Sequence, residues 1–341
     1  MSIPISTYFP GSSYLFHLAD FQSLNIGSQV IMQGHVQTIH QQPDGSQVGI
    51  LEDRTATIPI VVYPLTSDTC TIKPSTIISI AGRVEKDPGH KQTAGREAKR
   101  ILSVYRGIPA SESVFEKRNP VDFIPKRLST DSEGIQNLGA WIDLIFQPIL
   151  NKFIRTLLWD PAISHPFVQA AASWKHHHSY PGGLLRHSLE VADMMASMMQ
   201  SSRIGDPLYE LGLVAALLHD LGKIHHMGRP FTRGLLDHQS LTLEKIAPHM
   251  HILDEGWPDG ATALRHLLIG YDSRYRSTML LLTILKSADK ISAASEVEKT
   301  LFQRSKANQQ FVRAEGPGPS SAFWRPRMLH QNQAITSAGR G

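Results

Sequence analysis

The sequence predicts an α+β chain in two parts, a small β-barrel followed by an all-α domain. Three observations carry that prediction. Residues from about Leu24 to Arg106 alternate short β-branched runs with turn chemistry. From about 134 to 302 the apolar residues instead recur every three to four positions. Twelve of the seventeen histidines lie between His165 and His266, inside that helical half.

Element by element, residues 1–23 form an N-terminal segment, and the barrel is expected over 24–106. "SQVIMQGHVQTIH" carries apolar residues at Val30, Met32 and Val36, and "QPDGSQ" is a turn with Asp-Gly chemistry at its tip. "VGILEDRTATIPIVVYP" reads as strand, tight turn at Glu52-Asp53-Arg54, then strand. "STIISIAGRVEKDPGHKQ" reads as another strand, broken by Gly82 and followed by a basic loop. This order of strands and turns resembles an OB-fold of the nucleic-acid-binding kind, a generic β-barrel being the alternative. By that resemblance a basic groove would hold a single strand, with Lys86, Lys91 and Arg96 as candidate contacts and Lys99 and Arg100 nearby.

A polar, Pro-bearing connector spans 107–133, and the helical domain is expected over 134–302. "LGAWIDLIFQPILNKFIRTLLWD" keeps a helical period through Trp141, Leu144, Ile145, Ile149, Phe153 and Leu157. "GGLLRHSLEVADMMASMM", "LYELGLVAALLHDLGK" and "MLLLTILKSADKISAASEVEK" read as three further helices. Residues 303–341 are rich in Gly, Pro, Gln and Ser without periodicity and are expected to be flexible. That tail holds six Lys/Arg against one Glu, so its net +5 leaves −1 for the rest of a chain whose formal charge is +4. With Phe323 and Trp324 it could stack on single-stranded nucleic acid, or be a solvated tail with no task.

Bulk properties narrow the class. At 341 residues and 41% hydrophobic, the chain can bury a sizeable core. No apolar run approaches the length of a membrane span, and "MSIPISTYFPGSS" lacks the basic and apolar regions of a signal peptide. The single cysteine, Cys70, excludes an internal disulfide framework. A cytoplasmic protein with no membrane partner is the expectation.

The histidines carry the chemistry. His187 interrupts an apolar helix, His219 and Asp220 end a second, and Asp289 places a carboxylate in a third. Each is costly to bury alone, and a shared divalent cation relieves all of them. His187, then "HD" in "AALLHDLGKIHH", then Asp289 in "KSADKIS" resembles the ligand series of the HD phosphohydrolase superfamily. The resemblance implies an α-helical HD domain and metal-assisted hydrolysis of phosphate esters, with Asp220 and Lys223 as catalytic residues and Lys223 on a phosphate oxygen.

With the OB-like region ahead of it, "DPAISHPFVQAAASWKHHHSYPGGLLRHSLEVA" is most similar to the OB-fold plus HD-domain 3′→5′ exoribonucleases of the YhaM type. The similarity runs from about residue 24 to 300. "FTRGLLDHQSL" resembles their stretch with an additional metal-binding histidine, here His238. The chain departs from the family where "LRHLLIGYDSRY" stands for an "SHHG"-bearing run: Tyr271-Asp272 replace the histidine pair, so Asp272 and His266 are rival second-site ligands. His226 also stands where an acidic residue is common. Of the triplet His176–His178, one, His177 or His178, is expected to contact phosphate at the mouth of the site, with the others at the surface.

Taken together, these residues predict a metal-dependent phosphodiesterase holding one or two ions, Mn²⁺ ahead of Mg²⁺, Co²⁺, Fe²⁺ and Ni²⁺. Its expected partner is single-stranded nucleic acid, RNA ahead of DNA. The alternatives are an HD-type hydrolase of small nucleotides and a nucleic-acid-binding or conjugation-accessory protein with a degenerate site. The last is kept open by the Tyr271-Asp272 departure, while "HHHSYPGGLLRHSLEVA" also resembles the HD segment of a class of conjugative relaxases, a second nuclease reading.

Overall fold

A computed structural model describes residues 13–15, 17–63, 72–87, 99–109, 118–173, 178–226, 236–270, 279–306, 309–313 and 322–326. Its first half is a closed five-stranded barrel. The strands are β1 (Ser13–Leu15), β2 (Gln29–Gln41), β3 (Gln47–Glu52), β4 (Thr57–Val62), β5 (Ile77–Lys86) and β6 (Arg100–Pro109). Strand β2 is long enough to serve two neighbours. Its first half pairs with β5 and its second with β3, with a register shift between Val36 and Thr38. The β3–β4 hairpin follows, β4 runs parallel to β6 from Ile60↔Leu102, and β6 returns antiparallel to β5. The order β2-β3-β4-β6-β5 thus closes on β2, an OB-like barrel, with β1 parallel to β2 outside the ring.

Alternation fills the interior with Val30, Met32, Leu51, Ile58, Ile60, Ile80, Val84, Leu102 and Val104, and Phe21 from the 3-10 turn Leu18–Ser23 joins this core. The acidic turn ties that segment down. Asp53 Oδ2 accepts from the Leu18 amide at 2.9 Å while Oδ1 accepts from Thr55 and Ala56.

Three expectations about elements need correction. Strand β5 is not broken at Gly82. It runs through, and its pairing with β6 slips there by one residue, at a close approach that glycine allows, since a Cβ at this position would collide with the Ser103 carbonyl. The first helical stretch is two helices, α1 (Ser132–Asp143) and α2 (Pro148–Trp159), since Pro148 cannot continue a helix but suits the first turn of a new one. Leu144, expected on the apolar face, is left exposed in the break. Part of the tail is ordered: β7 (Phe311–Arg313) pairs antiparallel with β8 (Ala322–Trp324), and the Arg325 guanidinium sits 4.2 Å over the Phe302 ring.

The remaining helices are α3 (Pro161–Gln169), α4 (Gly183–Ser201), α5 (Leu208–Leu218), α6 (His238–Ile246), α7 (His251–Gly256), α8 (Pro258–Ile269) and α9 (Leu280–Gln303). Leu184, Leu185, Met195 and Met199 of α4 share one core with Leu213, Val214 and Leu217 of α5 and Leu281 and Leu285 of α9. The methionines are core filler, as their spacing suggests. No helix among the described residues is long and apolar enough to cross a membrane.

The two halves meet through a buried charge cluster. Glu52, at the end of β3, accepts from Arg127 Nε at 3.0 Å and its terminal nitrogen at 2.8 Å, and from His35 Nδ1 at 3.0 Å. His165 of α3 packs edge-on against His35, ring centroids 4.6 Å apart. Ile77 and Phe123, with Trp159 against them, seal the same junction.

Candidate metal centre

Three helices and one turn bring the predicted ligands together. His187 lies one turn into α4, fully buried, where the apolar face of that helix meets α5 and α9. Helix α5 ends at Leu218, so His219 and Asp220 sit in the turn that follows, and the chain then tightens into a 3-10 turn, Leu221–His226. Gly222 explains the tightening. Its amide donates to Thr242 Oγ1 at 2.8 Å, and a side chain there would strike the His238 carbonyl. The glycine thereby lets the 3-10 turn lie against α6, and His238 comes with it.

Asp220 is the hub. Only 2% exposed, it has Oδ2 at 3.4 Å from His187 Nε2 and 3.5 Å from His219 Nε2, and Oδ1 at 3.2 Å from His238 Nε2. Lys223 Nζ pairs with the same Oδ2. Asp289, from the middle of α9, places Oδ1 3.1 Å from His187 Nε2 and 3.8 Å from His219 Nε2. The ligand atoms of His187, His219 and Asp220 all lie within 4.8 Å of one another.

The donor set fits a divalent cation. His219 Nδ1 donates to the Ala216 carbonyl at 2.8 Å, which turns Nε2 inward. That Nε2 is buried and outside hydrogen-bond geometry with any group among the described residues, as expected of a nitrogen aimed at an ion. Electrostatics agree. Burial would raise the Asp220 pKa, but His219, Lys223, His187 and His238 outweigh it and hold the carboxyl well below its usual range. Asp289 is likewise held low against burial by His187 and His219. Burial opposes charge on His187 too, yet Asp220 and Asp289 push its pKa up to about 9. Two imidazoles and two carboxylates converge on one point, a nitrogen–oxygen set suited to a divalent cation.

Other predicted residues fall elsewhere. His178, expected at the mouth of the site, is 2% exposed and points inward, with Nδ1 3.1 Å from the Tyr180 hydroxyl and Nε2 3.1 Å from Glu190 Oε2. Both ring nitrogens are engaged behind His187, so it is not placed to touch phosphate. His266 is half-buried on α8, and the small cavity of about 70 Å³ beside the centre is walled by its neighbours Leu267, Leu268 and Gly270 with His219, His238, Lys286 and Asp289. His226, in place of the family's acidic residue, is buried. Lys86 is exposed at the end of β5, while Arg100 Nε is spent on the Leu24 carbonyl. His176, His177, Lys91, Arg96, Tyr271 and Asp272 lie outside the described residues.

Sequence reasoning missed Glu190 and Ser292. Ser292 Oγ lies 3.0 Å from His187 Nδ1 and 2.8 Å from Glu190 Oε2. Spacing was the available signal, since each stands three residues after a ligand, Glu190 after His187 and Ser292 after Asp289, which is nearly one helical turn.

Comparison with known proteins agrees with this geometry. Residues 184–294 match the family described as HD domain. The chain is 24% identical over 241 residues to the 3′-5′ exoribonuclease YhaM of Listeria monocytogenes, covering 66% of this chain and 69% of that protein. It is 24% identical over 237 residues to YhaM of Bacillus subtilis, with the same coverage. Among solved structures, the hypothetical protein ygiW from E. coli aligns with 30% of this chain and 94% of its own at 18% identity, but its TM-score of 0.23 carries no argument.

Proposed function

We propose that this chain, an OB-like barrel joined to an HD domain and similar to YhaM exoribonucleases, is a metal-dependent phosphodiesterase that trims single-stranded nucleic acid from the 3′ end, RNA ahead of DNA. The observation that carries the reading is the convergence of His187, His219, Asp220 and Asp289 on one buried point. These four residues would hold the first cation, and His238, 3.2 Å from Asp220, would extend the set toward a second. A bound divalent cation supplies an activated water and neutralises charge on the phosphate.

The chain's own residues do the rest. Asp220 gathers the imidazoles and Lys223 around one carboxylate, so that the site is preorganised before substrate arrives. Lys223, paired to Asp220, would meet a phosphate oxygen. The barrel would grip the strand, with the exposed Lys86 as one backbone contact. Mn²⁺ is the cation the mixed nitrogen–oxygen set favours, with Asp272 the proposed additional ligand for a second ion.

The test is incubation of RNA and DNA oligomers, each labelled at the 5′ end, with the protein and Mn²⁺, resolved on a sequencing gel. A ladder shortening from the 3′ end is the expected result, faster on RNA. Internal cuts, or release of nothing from either polymer while small nucleotides are hydrolysed, would overturn it.

A further inference from the structure

We infer that Glu190, acting through Ser292, is a positioning residue that fixes which nitrogen of His187 carries the proton and so readies Nε2 for a cation. The inference rests on the metal-site reading above and deepens it. It comes from counting protons along one hydrogen-bonded chain. A carboxylate can only accept. Glu190 Oε2 is 2.8 Å from Ser292 Oγ, so the single hydroxyl proton of Ser292 is committed to Glu190. Ser292 Oγ, 3.0 Å from His187 Nδ1, is therefore left as an acceptor, and Nδ1 must be the donor. With the Nδ1 proton fixed, Nε2 is the nitrogen that faces Asp220 and Asp289 with a lone pair once a cation replaces its proton.

The same carboxylate orders the next ring. Glu190 accepts from His178 Nε2 at 3.1 Å, which leaves His178 Nδ1 to accept from the Tyr180 hydroxyl. This gives His178 a role in place of the phosphate contact expected of it: it steadies Glu190 from behind. His178, His187 and Ser292 are all buried, so the chain is sheltered from competing water. Ser292 and Asp289 ride on one helix, as do His187 and Glu190, so two helix faces each deliver a ligand and its support.

The experiment is Mn²⁺ titration of the purified full chain, read by calorimetry or electron paramagnetic resonance, with folding checked by circular dichroism. Ser292→Ala removes the acceptor. Glu190→Gln offers an amide N–H to Ser292, which can turn the hydroxyl toward His187 and drive the ring proton onto Nε2. Each should weaken Mn²⁺ binding by about 10- to 100-fold, the usual cost of losing an outer partner of a metal-bound histidine. Ser292→Thr, which keeps the hydroxyl, should retain most of the affinity. Ser188→Ala, at a buried serine of α4 whose hydroxyl stands outside this hydrogen-bonded chain, should bind as wild type. If Glu190→Gln fails to fold, Ser292→Ala decides. Wild-type affinity in folded Ser292→Ala, or an equal loss in Ser188→Ala, overturns the relay alone. Failure of the wild type itself to take up Mn²⁺ overturns the metal reading and the relay with it.

Discussion

The proton held by His187 makes metal uptake pH-dependent by a predictable amount. In the metal-free protein, burial works against charging this ring, but Asp220 and Asp289, 3.4 and 3.1 Å from Nε2, push its pKa up to about 9. Below that value the imidazole is charged, and a cation must displace the Nε2 proton before it can bind. Each pH unit below 9 then costs about 1.4 kcal/mol, or tenfold in affinity. Between about pH 6.5 and 8.5 the Mn²⁺ dissociation constant should fall roughly 100-fold, levelling off above pH 9. Calorimetry at fixed ionic strength, in two buffers of different ionisation enthalpy, measures both the affinity and the proton count. About one proton should be released per ion bound at neutral pH. Affinity that is flat across this range, with no proton released, would refute the reasoning that the carboxylates hold the ring charged.

The same geometry sets other outcomes. Asp220→Ala removes the shared carboxylate and should abolish phosphodiester hydrolysis with loss of at least one metal equivalent, measured by elemental analysis on folded protein; retained turnover would contradict the site. Glu52→Gln at the junction should cost about 2 kcal/mol in denaturant unfolding, one charge-assisted hydrogen bond from a half-exposed Arg127 being replaced by donor facing donor. Burial raises the Glu52 pKa, but His35 and Arg127 lower it further, so the wild type keeps this stabilisation above the ordinary glutamate range and loses it as acid titrates the depressed carboxyl; Glu52→Gln should lack that acid-dependent loss. Lys86→Glu should weaken oligonucleotide binding at low salt and reduce the salt dependence, while leaving turnover of a small phosphodiester unchanged.

Much of this was legible in the sequence because the relevant signals are local. The turn at Glu52-Asp53-Arg54, the apolar alternation of the strands and the isolated polar residues of three helices each declare themselves within a few positions. Closure of the barrel was not local, since it depends on β4 meeting β6 in parallel across some forty residues. The misread elements failed for steric reasons that periodicity does not register: Pro148 splits a run that keeps its period, and Gly82 permits a slip instead of a break. His178 was misplaced because a histidine beside a glycine turn looks exposed, whereas its partner Glu190 lies beyond that turn, within α4. Ser292 was harder to read for a related reason. Its spacing from Asp289 gains meaning only when the facing helix supplies His187.

The spread of the centre along the chain sets when it can exist. Its groups come from α4, from the turn after α5, from α6 and, last, from α9, where Asp289 and Ser292 lie about one hundred positions beyond His187. The barrel, whose last strand ends at Pro109, can form while the rest is still being synthesised, since domains generally fold as units and N-terminal ones first. A nascent chain, or one truncated before residue 280, would therefore carry a formed barrel beside an unfinished centre, lacking the carboxylate and the hydroxyl that α9 contributes.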